Sequence, residues 1–512
     1  MTPARFPDRL LGPAERLVAA LTDPARRERT VIGVLIAYVL IWTVYGAIAK
    51  ASQGVHFDMA ESFALWHEPG FGYEKHPPLA AIVSGLWFSV FPVTDWSFYL
   101  LSMSVIGVAL WVIWKLCGDY LDGEKRVIAL ALLMLVPFFN FHALKYNNNT
   151  ILIPLWAATT LFFLRSYENR RVLDAALAGV AAAGAMYGKY WSVMLLAGLG
   201  IAALVDRRRM DYFRSAAPWV TVVVGALLMA PNVYLVVASN FAPMEYAYGI
   251  HGARSMARTL SSAGGYLASS FGYVAVALIV TFLATRPSRA AIRDSLWPSD
   301  DHRRLAVIAF WAALLVPVPF AIAAHLELTG LWSMASWSLL PVIVLSSPLV
   351  TLPRLDAVRV VSFAVIFPIV MVIAAPAVAF FTHRAGVTPS MLHSSLLAPA
   401  VDKLWRETTP KPLRLFSGYV DFAYGVAFYL PTHPPVVHIL DGIPARDFDA
   451  RLAREGIALV CPAEEVACVS KIDALVARVP GSKRETVEVA RMFLGTPSAS
   501  GRYAIAAVPP RQ

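Results

Sequence analysis

The chain has 512 residues, of which 58% are hydrophobic and only 15% charged, with a formal net charge of +10. Soluble proteins carry about 25% charged residues, so a soluble globular enzyme is excluded. The positive charge is scattered and no nucleic-acid-binding motif accompanies it, which sets a nucleic-acid partner aside.

Apolar runs of about 20 residues, enough to cross a bilayer, recur between residues 31 and 381. Spans are predicted at 31–49, 96–117, 127–142, 150–165, 173–187, 191–206, 217–238, 266–285, 305–324, 332–350 and 359–381. The stretch 79–92 follows Pro77-Pro78 and has about 14 residues, short for a crossing. It is read as a helix lying in the outer leaflet. No small-residue cleavage site follows the first apolar run, so the first span is read as retained. Arg and Lys gather at the N-terminus, at Lys125-Arg126, and at Arg165 to Arg171, Arg207 to Arg214, Arg286 to Arg304 and Arg354 to Arg359. These loops share one side, the positive-inside pattern. Residues 1–30 are therefore read as cytoplasmic and 31–381 as a membrane catalytic domain with an outer loop at 50–95. The whole is a polytopic α-helical protein of about 11–13 spans, by the usual length rule.

Residues 382–512 differ and are read as extracytoplasmic. Strand-length apolar runs at Leu413 to Tyr419, Val436 to Leu440, Ile457 to Cys461, Thr486 to Phe493 and Tyr503 to Val508 alternate with helical segments at Ala445 to Glu455 and Glu464 to Val479. That alternation predicts a small α/β domain, with 382–410 as a partly helical linker. Cys461 and Cys468 both fall in it, and an oxidising compartment allows a disulfide between them. The bland alternative is two separate buried thiols. Cys117 sits inside a predicted span and reads as packing.

Charged residues beside a bilayer are costly and usually functional. Asp58 and Glu61, three apart, share a face of a helical turn just after the first span. Either carboxylate can serve as a general base or ligate a divalent cation through oxygen; the bland alternative is a solvated interfacial loop with ordinary acids. Lys75-His76-Pro77-Pro78 closes the same loop. The prolines fix its direction, and Lys75 and His76 can meet a phosphate, or Lys75 can merely snorkel to headgroups. Lys145-Tyr146-Asn147-Asn148-Asn149 and Tyr187-Gly188-Lys189-Tyr190-Trp191 occupy further outer connections. The Asn amides can bind sugar hydroxyls or cap the next helix; Lys189 and Tyr190 can bind substrate or anchor an interfacial aromatic belt. Glu245, His251, Arg258, His325, Glu327 and Trp332 add weaker signals on outer loops.

The loop from Asp58 through Gly72-Tyr73-Glu74-Lys75-His76-Pro77-Pro78-Leu79, the segment Lys145 to Trp156 and the Gly188-Lys189 turn resemble, in order and topology, the family 39 and family 83 glycosyltransferases of the GT-C fold. The resemblance covers roughly residues 30–350. It implies that Asp58 is the first-loop catalytic aspartate and that Glu61 is an additional acid. It also implies that Lys75, His76 and Lys189 approach a lipid phosphate, with Lys145, Asn147, Asn149 and Tyr190 lining the substrate site. Where many relatives carry an Asp near the start of the fourth span, this chain has Asn149. The activity implied is inverting transfer of a sugar from a polyprenyl-phosphate donor to a lipid or cell-envelope glycan, at the outer face of a bacterial inner membrane. No cofactor is implied with certainty; a divalent metal at Asp58 and Glu61 stays open. The competing reading is a transporter or flippase of lipid-linked sugars, which would usually show repeated halves; no internal repeat is evident.

Overall fold

The computed structural model describes residues 6–67, 75–440 and 447–511. Gly72, Tyr73 and Glu74 of the first-loop motif lie outside the described residues, as do Arg5 and the first two residues of the predicted segment Ala445 to Glu455. The chain divides into two compact units, 1–43 with 70–80 and 100–371, and 44–69 with 81–99 and 372–512.

The first unit is helical. Among the described residues, seven helices are long and apolar enough to cross a membrane, including Arg27–Ala49, Asp95–Cys117, Asn148–Asn169, Ala217–Ala238, Met256–Thr285 and Arg354–Ala385. Val172–Gly188 is shorter and packs on both Asn148–Asn169 and Ala217–Ala238. Its contact is close because Gly179 has no side chain: a Cβ there would lie 2.6 Å from the Thr221 carbonyl oxygen. Thr221 Oγ1 donates back across this seam to the Ala175 carbonyl at 2.9 Å. Small residues let membrane helices approach this way.

Three predicted spans differ in shape. The run 127–142 forms only the helix Gly123–Met134 and a 3-10 turn at Pro137–Phe139, because Pro137 ends the regular hydrogen bonding. The run 332–350 is a 3-10 helix, Gly330–Leu339, followed by the short helix Leu340–Leu345. The predicted span 266–285 is the end of a 30-residue helix, Met256–Thr285, so most of the loop expected at 239–265 is helical. The apolar stretch after Pro77-Pro78 is the ten-residue helix Leu79–Phe88, too short to cross.

The second unit carries the sheet. Strands β1 (Phe416–Gly418), β2 (Ile457–Pro462), β3 (Lys483–Val489) and β6 (Gly501–Val508) form one sheet in the order β1-β2-β6-β3. β1 runs parallel to β2, and β6 runs antiparallel to both β2 and β3. β4 (Met492–Phe493) and β5 (Thr496–Pro497) make a separate two-stranded ribbon. β2 is buried at every position, as its unbroken apolar run requires. Helices Phe448–Glu455 and Val466–Arg478 cover a core of Leu415, Leu452, Leu459, Ile472 and Leu475. Cys461 on β2 and Cys468 on Val466–Arg478 form a disulfide, with Cα atoms 5.9 Å apart. The segment expected as linker is the 20-residue helix Pro389–Thr408. The run 436–440 makes no strand; Val436 contributes one isolated bridge to Phe416.

Candidate functional site

In the second unit, Asp58 opens the helix Phe57–Ala64. His56 is its N-cap: His56 Nδ1 accepts from the Asp58 backbone N–H at 3.1 Å and lies 3.7 Å from the Asp58 carboxylate. A carboxylate in a first turn is favoured by the helix dipole. The Asp58 side chain keeps 32% exposure, whereas Glu61, one turn on, is buried at 6%. The helix is held by rings. Phe63 meets Phe88, Phe428 and His433 edge-on at 5.0, 5.7 and 5.6 Å. Just upstream, Tyr429 Oη donates to the Asp95 carboxylate at 2.9 Å and accepts the Val55 N–H at 2.8 Å. Burial raises the Tyr429 phenol far above its ordinary value, and the Asp95 charge adds to this; it therefore stays a donor. Asp95 and Tyr429 carry no motif and escaped the sequence reading.

In the first unit, the three consecutive asparagines divide the labour. Asn147 caps Asn148–Asn169, its Oδ1 accepting from the N–H groups of Asn149 and Thr150 at 2.9 and 3.2 Å. Asn148 donates to the Gly188 carbonyl at 2.7 Å and so ties the helix start to the next connection. Asn149 Oδ1 accepts from Lys189 Nζ at 2.8 Å. The Lys189 ammonium also sits 5.2 Å from the Trp332 ring centre, within cation–π range.

Trp332 gathers further residues. Trp191 lies 4.4 Å from it and His251 meets it edge-on at 4.7 Å. Burial holds the His251 pKa below its usual value, Lys189 pushes it lower and Glu327 opposes both. The Glu327 N–H donates to the His251 carbonyl at 2.8 Å, and Arg258 Nε reaches both Glu327 carboxylate oxygens at 3.1 Å. Trp191 Nε1 is buried with no hydrogen-bond partner among the described residues. The structure thus brings Asn149, Lys189, Trp332 and His251 together. Tyr190 Oη turns elsewhere and accepts from Asn232 Nδ2 at 3.1 Å. The Lys145 carbonyl accepts from Thr150 Oγ1 at 2.7 Å. Lys75 and His76 are half-buried, and the chain beyond them is pinned where Tyr146 Oη donates to the Ala80 carbonyl at 2.9 Å. Among the described residues, no group of three or more His, Cys, Asp or Glu side chains is arranged to hold a metal.

The many-helix body and the small C-terminal sheet together have the GT-C fold, as superposition on solved structures shows. The chain superposes on ArnT from Cupriavidus metallidurans bound to undecaprenyl phosphate with a TM-score of 0.60 and 14% identity, over 93% of this chain and 97% of that one. The apo form of the same ArnT gives 0.59 and 13%, over 94% and 99%. The family described as dolichyl-phosphate-mannose-protein mannosyltransferase matches residues 75–235. No curated protein matches the chain in sequence.

Proposed function

We propose that this protein is an inverting glycosyltransferase that moves a sugar from a polyprenyl-phosphate donor to a lipid or cell-envelope glycan acceptor. The observation that carries the reading is the oriented cation at Lys189. Asn149 and Trp332 hold it beside a capped helix N-terminus, an arrangement suited to anions. Preorganised charge aimed at a leaving group is usually the largest catalytic contribution. Lys75 and His76 approach the same phosphate, and Lys145, Asn147, Asn149 and Tyr190 shape the substrate site.

In this reading the Asp58 carboxylate takes the proton of the acceptor hydroxyl. The hydroxyl oxygen attacks the anomeric carbon from the face opposite the donor. The bond from that carbon to the phosphate oxygen breaks, and its electron pair leaves with the lipid phosphate. The greater exposure of Asp58 supports it as the base over Glu61, which stands behind it as a second acid. Residues 31–381 form the catalytic membrane body of a bacterial inner membrane protein, with 382–512 extracytoplasmic. The basic loops support that orientation.

The test is transfer in liposomes. The purified chain is given a panel of radiolabelled sugars on undecaprenyl phosphate together with envelope lipid extract. Transfer of at least one label, with release of undecaprenyl phosphate, is expected. No transfer across the panel, with movement of intact donor between leaflets, would replace the reading with a flippase.

A further inference from the structure

A second feature lies within the first unit, among the basic loops. Helix Arg289–Leu296 is short and amphipathic. Ser288 caps it, accepting from the Ala291 N–H at 3.1 Å. Ala291 and Ser295 are buried, and Asp294 pairs with Arg303 at 2.8 Å. The adjoining stripe carries Ile292 and Leu296, 41% and 47% exposed, and the helix ends at Trp297, 65% exposed. Such a helix lies in an interface with its apolar face toward lipid, and a terminal Trp is a usual anchor there.

Between this helix, the end of Met256–Thr285 and Leu340–Leu345 runs an apolar groove of about 410 Å³. Ile279, Phe282, Leu283, Ile292, Leu296 and Val344 line it. Arg289 and Arg293 are one turn apart on the same helix, and Arg286 ends the neighbouring one in a left-handed conformation. Helical spacing puts Arg289 and Arg293 along the edge of the stripe formed by Ile292 and Leu296. All three arginines are exposed, and no carboxylate of the described residues lies within ion-pair range of any of them. Two like charges at this spacing repel. An oily slot beside two or three unpaired guanidinium groups complements one kind of molecule, a single anionic headgroup on a long hydrocarbon chain.

We propose that this groove is a binding site for an anionic glycerophospholipid, with an acyl chain along Ile279, Leu283 and Ile292 and its phosphate between Arg289 and Arg293. Guanidinium groups are suited to bidentate phosphate contacts. The site is separate from the residues that meet the donor in the proposed reaction, and it does not depend on that reaction.

Native mass spectrometry of the full chain in detergent tests it, with equimolar phosphatidylglycerol and phosphatidylcholine of identical acyl chains. The first adduct should favour phosphatidylglycerol by about 30-fold, the scale set by two basic residues at an anionic surface. The double variant Arg289→Ala/Arg293→Ala should bring the ratio close to one. Ile292→Trp, which fills the slot, should lower the first adduct of both lipids. A photoreactive phosphatidylglycerol should label peptides from residues 279–297. Equal binding of the two lipids by the unaltered protein would reduce the groove to ordinary annular contact and overturn the proposal. So would a preference that survives the double variant, or labelling only elsewhere. Undecaprenyl phosphate displacing all phosphatidylglycerol at equal concentration would assign the groove to the carrier lipid and overturn it too.

Discussion

Replacing Lys189 by Met removes the ammonium while keeping an apolar stem over Trp332. The lost group makes a hydrogen bond of 2.8 Å to Asn149 and stands 5.2 Å from the Trp332 ring centre. If it also meets the lipid phosphate, the loss is that of a hydrogen bond to a charged group, about 1.5–3 kcal/mol. That weakens undecaprenyl phosphate binding by about 10- to 150-fold. Asn149→Ala leaves the charge but releases its aim, so the loss should be that of an ordinary hydrogen bond, about 0.5–1.5 kcal/mol, or roughly twofold to tenfold in affinity. Because both act through one ammonium, the double variant should be no worse than Lys189→Met alone, falling short of the sum by the Asn149→Ala loss itself, about 0.5–1.5 kcal/mol. The assay is displacement of labelled undecaprenyl phosphate from protein in phosphatidylcholine nanodiscs. If Lys189→Met binds within twofold of the unaltered protein (an allowance well inside the estimate above), the ammonium serves only to lock Trp332 and Asn149. The phosphate role would then be wrong.

Asp58→Asn should cut turnover by at least about 100-fold, the lower range for a general base, with donor binding kept; near-normal turnover would move the base elsewhere. Cys461 and Cys468 should resist maleimide until reduced. Removing both should cost about 2–3 kcal/mol in the chain-entropy picture of a small closed loop, read from chemical unfolding; free labelling before reduction would contradict the bond. His393 is 2% exposed, with Nε2 facing the Ala499 carbonyl at 3.1 Å and Nδ1 at 2.7 Å from the Tyr503 hydroxyl, so Nε2 carries a proton and donates it to the carbonyl. Burial holds its pKa down, the Ala499 carbonyl opposes this and Arg491 adds to the depression. The unfolded chain then takes up the proton first. Its contribution to stability is present above about pH 6.5, the ordinary histidine value, and is lost as pH falls through the lower folded value. Melting temperature should drop with acidification and His393→Gln should flatten the drop; an identical slope in the variant would rule His393 out as the source. Gly179→Leu should destabilise by about 1–3 kcal/mol through overpacking against Thr221, measured as a lower melting temperature; an unchanged value would mean the helices separate freely.

The long spans were legible because hydrocarbon thickness sets their length and lipid demands unbroken apolarity. The strands β2 and β6 were legible for a related reason, since short β-branched or alanine-rich apolar runs bounded by Gly or Pro leave few other conformations. Val420–Tyr429 was missed because an apolar ten-residue run fits a buried strand or a buried helix equally. Pro389 and Pro399 limit the sequence reading of 382–410 to a partly helical linker, although Pro389 stands at the start of the helix Pro389–Thr408, where proline is tolerated. At the candidate site, the sequence shows that one asparagine of three should cap. Only the structure says that Asn147 does, that Asn148 fastens Gly188 and that Asn149 is left for Lys189. Trp332 lies far along the chain, and no local pattern announces that its ring receives the Lys189 charge.

The second compact unit is assembled from residues 44–69, 81–99 and 372–512. Helix Phe57–Ala64 packs on Val420–Tyr429, and Asp95 waits for the hydroxyl of Tyr429. During synthesis the early pieces leave the ribosome long before their partners exist. The Asp58 helix therefore spends most of translation without the Phe428 ring that flanks Phe63. A chain interrupted after the last long span would keep every predicted catalytic side chain yet lack the surface on which its acid is mounted. Under the proposed reaction, activity is tied to completion of the polypeptide. Loss-of-function truncations within residues 386–512 should behave like lesions in the first loop, despite the distance between them in the gene.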